Sequence, residues 1–294
     1  MNATLAQAAR LQPDRSVIRQ TATFLAIVAL AEAALTVAMQ RVDPSSTAAA
    51  LVMVGIMWAP GLAALGVQLA FERTLRGFGW KPGPARYFGA AYAMPFLYGG
   101  LCLLAAQALG AGEINFDRWA AGAPNWGMPP HALYGMLIQM TVFLLPGIVM
   151  GLGEELGWRG FLAPKLGRLF SFWGVVNVSF VIWLAFHLPG MVFGGYHGQG
   201  TPLWYSFLCF SALLYPGTVL LTWLRFRSNS LWPCVLYHGA HNAFIQIMWN
   251  SAFRPDETGP WLLGEFGAVT PVVFGLLLFL LVRARGVPRT PAHG

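Results

Sequence analysis

Apolar residues in this chain run in blocks long enough to cross a hydrocarbon bilayer, which takes roughly 20 residues of helix. Eight such blocks follow one another, at about 21–39, 48–70, 87–109, 133–153, 172–188, 204–224, 231–250 and 262–282. A bilayer offers no water to an open backbone, so spans of this kind must be helices that satisfy their own hydrogen bonds. The predicted fold is therefore all-α: a polytopic membrane helical bundle with about eight transmembrane helices. Composition agrees, since only 10% of the 294 residues are charged, against about a quarter in soluble domains. Disorder is excluded by the 56% hydrophobic content. Cys102, Cys209 and Cys234 lie inside apolar blocks and read as buried free thiols, which excludes a disulfide scaffold. Pro60, Pro95, Pro146, Pro216 and Pro271 also fall inside blocks, as membrane helices tolerate.

The basic residues sort by side. Of the 18 Lys and Arg, all but Arg41, Arg118 and Arg254 fall in the N-terminal tail, the second, fourth and sixth connections, or the C-terminal tail. Lys and Arg are retained in the cytoplasm, so both termini are expected there, and an odd number of spans would mix the two sets. The net charge of +7 is spread over short loops and reads as this topology signal rather than a nucleic-acid surface. The partners expected are membrane lipid and a peptide or membrane-protein substrate, with no nucleic acid. The first block lacks a signal-peptide cleavage site. Without a linker or repeat, 1–294 reads as a single transmembrane domain. Arg greatly outnumbers Lys and Ala and Gly abound, which points to a GC-rich bacterium and its cytoplasmic (inner) membrane. The Gly- and Pro-rich stretches 110–130 and 189–202 are expected to cap the outer face, and the chain after Gly286 to be disordered.

Ionisable groups are costly inside a bilayer, so each one within a block is a functional candidate. The acids are Glu32, Glu154, Glu155 and Glu265; the histidines are His187, His238 and His241. Glu155 and Arg159 stand at i and i+4, the favourable order for an ion pair that would hold Glu155 as a structural carboxylate. Adjacent helical residues point about 100° apart, so Glu154 faces elsewhere, as a general base would. His187 lies one turn after Trp183. His238 and Asn242 share a face at i, i+4, with His241 close by. Such a stripe otherwise serves as a helix–helix hydrogen-bonding seam. Glu32 reads as a packing residue without an obvious partner and Glu265 as interfacial. Gly147 and Gly151 fit the small-residue packing motif. These boundaries place Glu154 near the cytoplasmic end of its span and His187 near the outer end of its own, so for the two to meet a boundary must move.

Glu154-Glu155-x-x-x-Arg159, then Trp183-x-x-x-His187, then His238-x-x-x-Asn242 resembles the three-motif signature of the CAAX protease and bacteriocin-processing family, intramembrane endopeptidases related to the type II CAAX prenyl endopeptidase. The stretches Arg159-Gly160-Phe161-Leu162 and Asn229-Ser230-Leu231-Trp232-Pro233 are similar as well, and the resemblance covers a catalytic core at about 133–250. It implies that Glu154 and His187 activate water and that His238 and Asn242 stabilise the oxyanion, with Glu155 and Arg159 in support. General acid–base and oxyanion chemistry is compatible with those residue types. No cofactor is expected on this reading. Its competitor is a zinc-dependent metalloprotease in which Glu154, His187 and His238 hold the ion. A non-catalytic bacteriocin-immunity or scaffold protein would share the fold. A proton-coupled transporter is disfavoured, because no broken spans recur in corresponding halves. The catalytic face is expected to open toward the cytoplasm.

Overall fold

A computed structural model describes residues 15–290. Among the described residues, six helices are long and apolar enough to cross a membrane. They are α1 (Arg15–Met39), α2 (Thr47–Glu72), α3 (Ala85–Ala108), a composite fourth helix running from Ala132 to Leu166, α8 (Phe172–Phe193) and α9 (Leu203–Ser228). The composite helix comprises α5 (Ala132–Thr141), α6 (Leu144–Glu155), a π-helical stretch (Leu156–Leu162) and α7 (Ala163–Leu166). Between α3 and α5 lie β1 (Gly112–Ile114), α4 (Asp117–Gly122) and a 3₁₀ turn (Ala123–Trp126). The chain continues with α10 (Trp232–His241), a second π-helical stretch (Asn242–Trp249), β2 (Phe253–Pro255), α11 (Gly259–Leu262) and α12 (Val269–Arg285).

Local chemistry sets the helix ends. Ser46 caps α2 by accepting from the Ala49 amide at 3.1 Å. Asn229 ends α9 in the left-handed region at φ 50°, a conformation Asn tolerates better than most residues. The break between α5 and α6 falls at Val142 and Phe143, four and three residues before Pro146, which has no amide to offer the Val142 carbonyl. The last apolar helix starts at Val269 rather than near 262, because Gly264 (φ 77°) turns the chain after α11. Pro271 accordingly lies in its first turn, where the missing amide is harmless. The fourth helix does not stop near Gly153 but continues through the π-helical stretch.

The centre of the bundle is α9: 72% of its most apolar window is buried, against 22–33% for the other five spans. Around it pack α8 and α12, while α6 lies between α2 and α10, and α10 in turn meets α3. Close approach on both sides of α6 depends on glycine. A Cβ on Gly239 of α10 would stand 2.6 Å from the Ile148 amide nitrogen and 2.9 Å from the Gly147 carbonyl carbon. Gly147 and Gly151 face Gly239 and His238, whereas Gly153 and Gly157 face Met57, Trp58 and Pro60 of α2. The small-residue motif is thus an α6–α10 crossing. Gly239→Ala should lower stability by about 1–3 kcal/mol, because the methyl meets backbone that cannot move aside. Gly66→Ala, in open space on α2, should leave the detergent-solubilised protein's melting temperature unchanged or slightly raised.

The connections gather at two ends. At one, Leu231 donates to Gly79 O at 2.9 Å, Trp232 Nε1 to Trp80 O at 2.6 Å, and Arg225 Nη2 to Gly77 O at 2.9 Å. Lys165 pairs there with Glu72 at 2.8 Å. Thr290, expected to lie in a disordered tail, is instead buried and bonded to Phe170 O at 2.9 Å. At the other end β1 pairs antiparallel with β2, and Arg254 pairs with Glu113 at 3.5 Å and Asp117 at 2.8 Å. Arg10 and the residues beyond 290, which also entered the charge and tail readings, lie outside the described residues.

Candidate active site

The helix extension past Gly153 removes the depth conflict between Glu154 and His187. Glu154 lies well inside a helical run that continues to Leu166, and it is 2% exposed. His187 lies six residues before the end of α8, which reaches Phe193. The run carries two acids and Arg159 without ending because each has a partner within the protein: Glu155 is paired with Arg159, and Glu154 is held by hydrogen bonds. Arg159 Nη1 donates to Glu155 Oε1 at 2.9 Å, its guanidinium lies 4.3 Å from the Trp183 ring centre, and both charged residues are buried. Glu155 Oε1 also accepts from His238 Nδ1 at 2.8 Å.

Glu154 has different company. Its Oε2 accepts from Trp158 Nε1 at 3.0 Å and from Trp183 Nε1 at 2.7 Å. Trp158 sits one turn further along the same helical run, and Trp183 reaches across from α8. Two indole donors on one oxygen leave the other, Oε1, directed at the site, 3.9 Å from His238 Nε2. The His187 imidazole contacts the carbonyl of Trp183 through Nδ1 at 2.8 Å. A carbonyl can only accept, so Nδ1 carries the hydrogen and Nε2 of the neutral ring is left as a lone pair. Its ring centre lies 5.7 Å from that of Trp183, which lies equally far from His238. Trp183 is thus the common neighbour of Glu154, Arg159, His187 and His238.

Glu154, His187, His238 and Asn242 all line one cavity of about 490 Å³, whose walls are mostly apolar and include Met53, Met150 and Ile247. The structure therefore brings the four candidates to one space, with Glu155 and Arg159 behind its floor. Glu32, read as a packing residue, lines the same cavity; Thr36 donates to its Oε1 at 3.4 Å.

Other members of the polar set separate from these. His241 turns away to Glu265 Oε1, 2.8 Å from its Nε2, and to the Tyr98 hydroxyl. Glu265 stands outside the last helix: it precedes α12, is buried, and also accepts from Tyr196 at 2.7 Å and Gln246 at 3.2 Å. Tyr196, Glu265, His241, His187 and His238 meet again around a chamber of about 50 Å³ behind the cavity. Sequence reasoning missed the two indole donors and Tyr196. Trp158, at i+4 from Glu154, carried a readable signal; Trp183 and Tyr196 depend on long-range packing.

Residues 136–244, from α5 to the start of the second π-helical stretch, match the family model described as type II CAAX prenyl endopeptidase Rce1-like. Over these residues, somewhat more than a third of the chain, the protein is similar to the type II CAAX prenyl endopeptidases. Glu154, Glu155, Arg159, Trp183, His187, His238 and Asn242 all fall within the Rce1-like segment. A search of curated proteins returns no match. That family is one of proteases, and the apolar helices make this chain an integral membrane protein. A catalytic zinc would require three protein ligands gathered around one point. Among the described residues no group of three His, Cys, Asp or Glu side chains is so placed.

Proposed function

We propose that this Rce1-like chain is an intramembrane endopeptidase that hydrolyses a peptide bond with Glu154 as the base, within a catalytic core spanning about 133–250. One observation carries the reading: a buried carboxylate, fixed through one oxygen by two indole donors, stands on the floor of a cavity shared with two imidazoles and a carboxamide. Fixing one oxygen leaves the other free to take a proton without losing its aim, which is what a general base requires. His187, with its Nδ1–H committed to Trp183 O, offers the Nε2 lone pair to the second hydrogen of the same water. The water oxygen then adds to the scissile carbonyl carbon as its proton passes to Glu154.

The carbonyl oxygen becomes an anion facing His238 and Asn242. Asn242 brings a carboxamide N–H. His238 donates through Nε2 in its doubly protonated form, in which each ring N–H has a carboxylate to face, Glu155 Oε1 at 2.8 Å and Glu154 Oε1 at 3.9 Å. Donors held in place before the charge develops act with little reorganisation. Collapse breaks the C–N bond, and Glu154 returns its proton to the departing amine. Water, peptide and proton balance without a further reactant.

The zinc reading is the weaker one, because Glu154, His187 and His238 do not form a three-ligand group around one point. Asn242→Ala should lower turnover by about 100- to 1000-fold, while the metal content of the purified protein, measured alongside His238→Ala, should equal that of wild type. A stoichiometric metal lost in His238→Ala would reverse the choice of mechanism.

Eight crossings with both termini in the cytoplasm complete the reading, in a bacterial cytoplasmic membrane. The interlocking of the second and sixth connections at one end, and of β1 with β2 at the other, supports it. The deciding experiment compares the membrane peptidome of cells carrying wild type with that of cells carrying Glu154→Gln. Fragments present only with wild type, or precursors accumulating in the variant, are the expected outcome. Identical peptidomes would favour a non-catalytic scaffold.

A further inference from the structure

The basic loops lie at one end of the bundle, and the lining of the cavity extends from mid-helix towards the other. From Glu154 and His238, near mid-helix, the lining steps away from the basic end through Asn242, Gln246 and Ile247 on one wall and through His187, Gly190 and Gly194 on another. The floor is closed on the basic side, since every residue from Gly153 to Ala163 is buried and Arg225 Nε bonds to Arg159 O at 2.8 Å behind it. Beyond the mouth lies a wider hollow of about 800 Å³ lined by polar Arg118, His197, Gln199, Asn250 and Arg254. Tyr196 and Gln246 line both spaces, so the apolar cavity and the polar hollow are neighbours along one route.

Because cytoplasmic loops carry the excess of Lys and Arg, we infer that the active-site cavity opens on the non-cytoplasmic face and takes its substrate from there. This reverses the expectation of a cytoplasmic opening. The substrate class follows, resting on the protease reading above. It is a polypeptide whose apolar stretch lies in the cavity while its polar flank occupies the outer hollow: an exported or membrane-spanning protein cut near the outer interface. A lipid-modified C-terminal tail made and held on the cytoplasmic side would meet the closed floor instead.

The test uses single cysteines and a sulfonated, membrane-impermeant maleimide on right-side-out and inside-out vesicles. The native Cys102, Cys209 and Cys234 are buried, and wild type gives the background. Gln246→Cys reports the cavity mouth, Gln199→Cys the outer hollow and Lys81→Cys the basic end. The inference expects the first two to be labelled in right-side-out vesicles and protected in inside-out ones, with Lys81→Cys showing the reverse. If Gln246→Cys misfolds, Gln199→Cys still reads the side. Labelling of both outer-end cysteines only in inside-out vesicles would overturn the inference. Mapping Glu154-dependent cut sites then separates the two claims. Cuts in non-cytoplasmic flanks support the substrate class and cuts in cytoplasmic segments overturn it. Outward labelling with no Glu154-dependent cut removes the protease reading while the side of the opening stands.

Discussion

Purified Glu154→Gln should hydrolyse substrate about 100- to 10,000-fold more slowly than wild type, the range that a positioned general base contributes. The substitution is close to isosteric, and the surroundings decide what it changes. The glutamine carbonyl can still accept from the Trp158 and Trp183 indoles that now hold Glu154 Oε2 at 3.0 and 2.7 Å. Its amide then points where Oε1 pointed, and an amide cannot take a proton from water. The fold loses only the charge-assisted part of two hydrogen bonds, so stability should change by about 1 kcal/mol. The effect should fall on turnover rather than on substrate affinity, because the base acts as the proton moves.

Arg159→Ala should destabilise the protein by about 3–5 kcal/mol, the usual result of removing one partner from a buried ion pair. Three losses coincide. Glu155, fully buried, is left with His238 as its remaining partner. Trp183 loses the guanidinium 4.3 Å from its ring, and with it part of the support for the indole that holds Glu154. The space once filled by the side chain opens beside the Arg225 contact. Thermal unfolding in detergent measures the first effect, and turnover at a temperature where the variant is folded measures the second. Arg159→Lys should recover part of the stability, since a compact ammonium keeps the charge but not the planar stack. A melting temperature unchanged in Arg159→Ala would show that the pair does not hold this region together.

Most helices were legible because apolar blocks of bilayer length leave little freedom: 48–70, 87–109 and 204–224 each lie within a few residues of the observed ends of α2, α3 and α9. The polar groups were legible for the same reason, since a Glu or His among aliphatic residues stands out. What failed were inferences that treated charge as a boundary. Glu154, Glu155 and Arg159 suggested a span ending at Gly153, yet Glu155 pairs with Arg159, two indoles hold Glu154, and the helix runs on to Leu166. Glu265, placed within the last span, precedes that helix, and His241, Tyr196 and Gln246 enclose its carboxylate. The direction of a side chain on its helix, such as His241 turning from His238, is set by neighbours far along the chain. Trp183 lies 29 residues from the carboxylate it holds, and no local spacing announces that contact.

The two adjacent acids supply the most direct test, because they are identical in chemistry and are assigned opposite work. Turnover and melting temperature should be measured side by side for Glu154→Gln and Glu155→Gln. A folded, wild-type-like melting curve with hydrolysis lost in the first, and a clearly lowered melting temperature in the second, is the result predicted. Hydrolysis retained within a few-fold by Glu154→Gln would contradict the assignment of that carboxylate as the group that activates water.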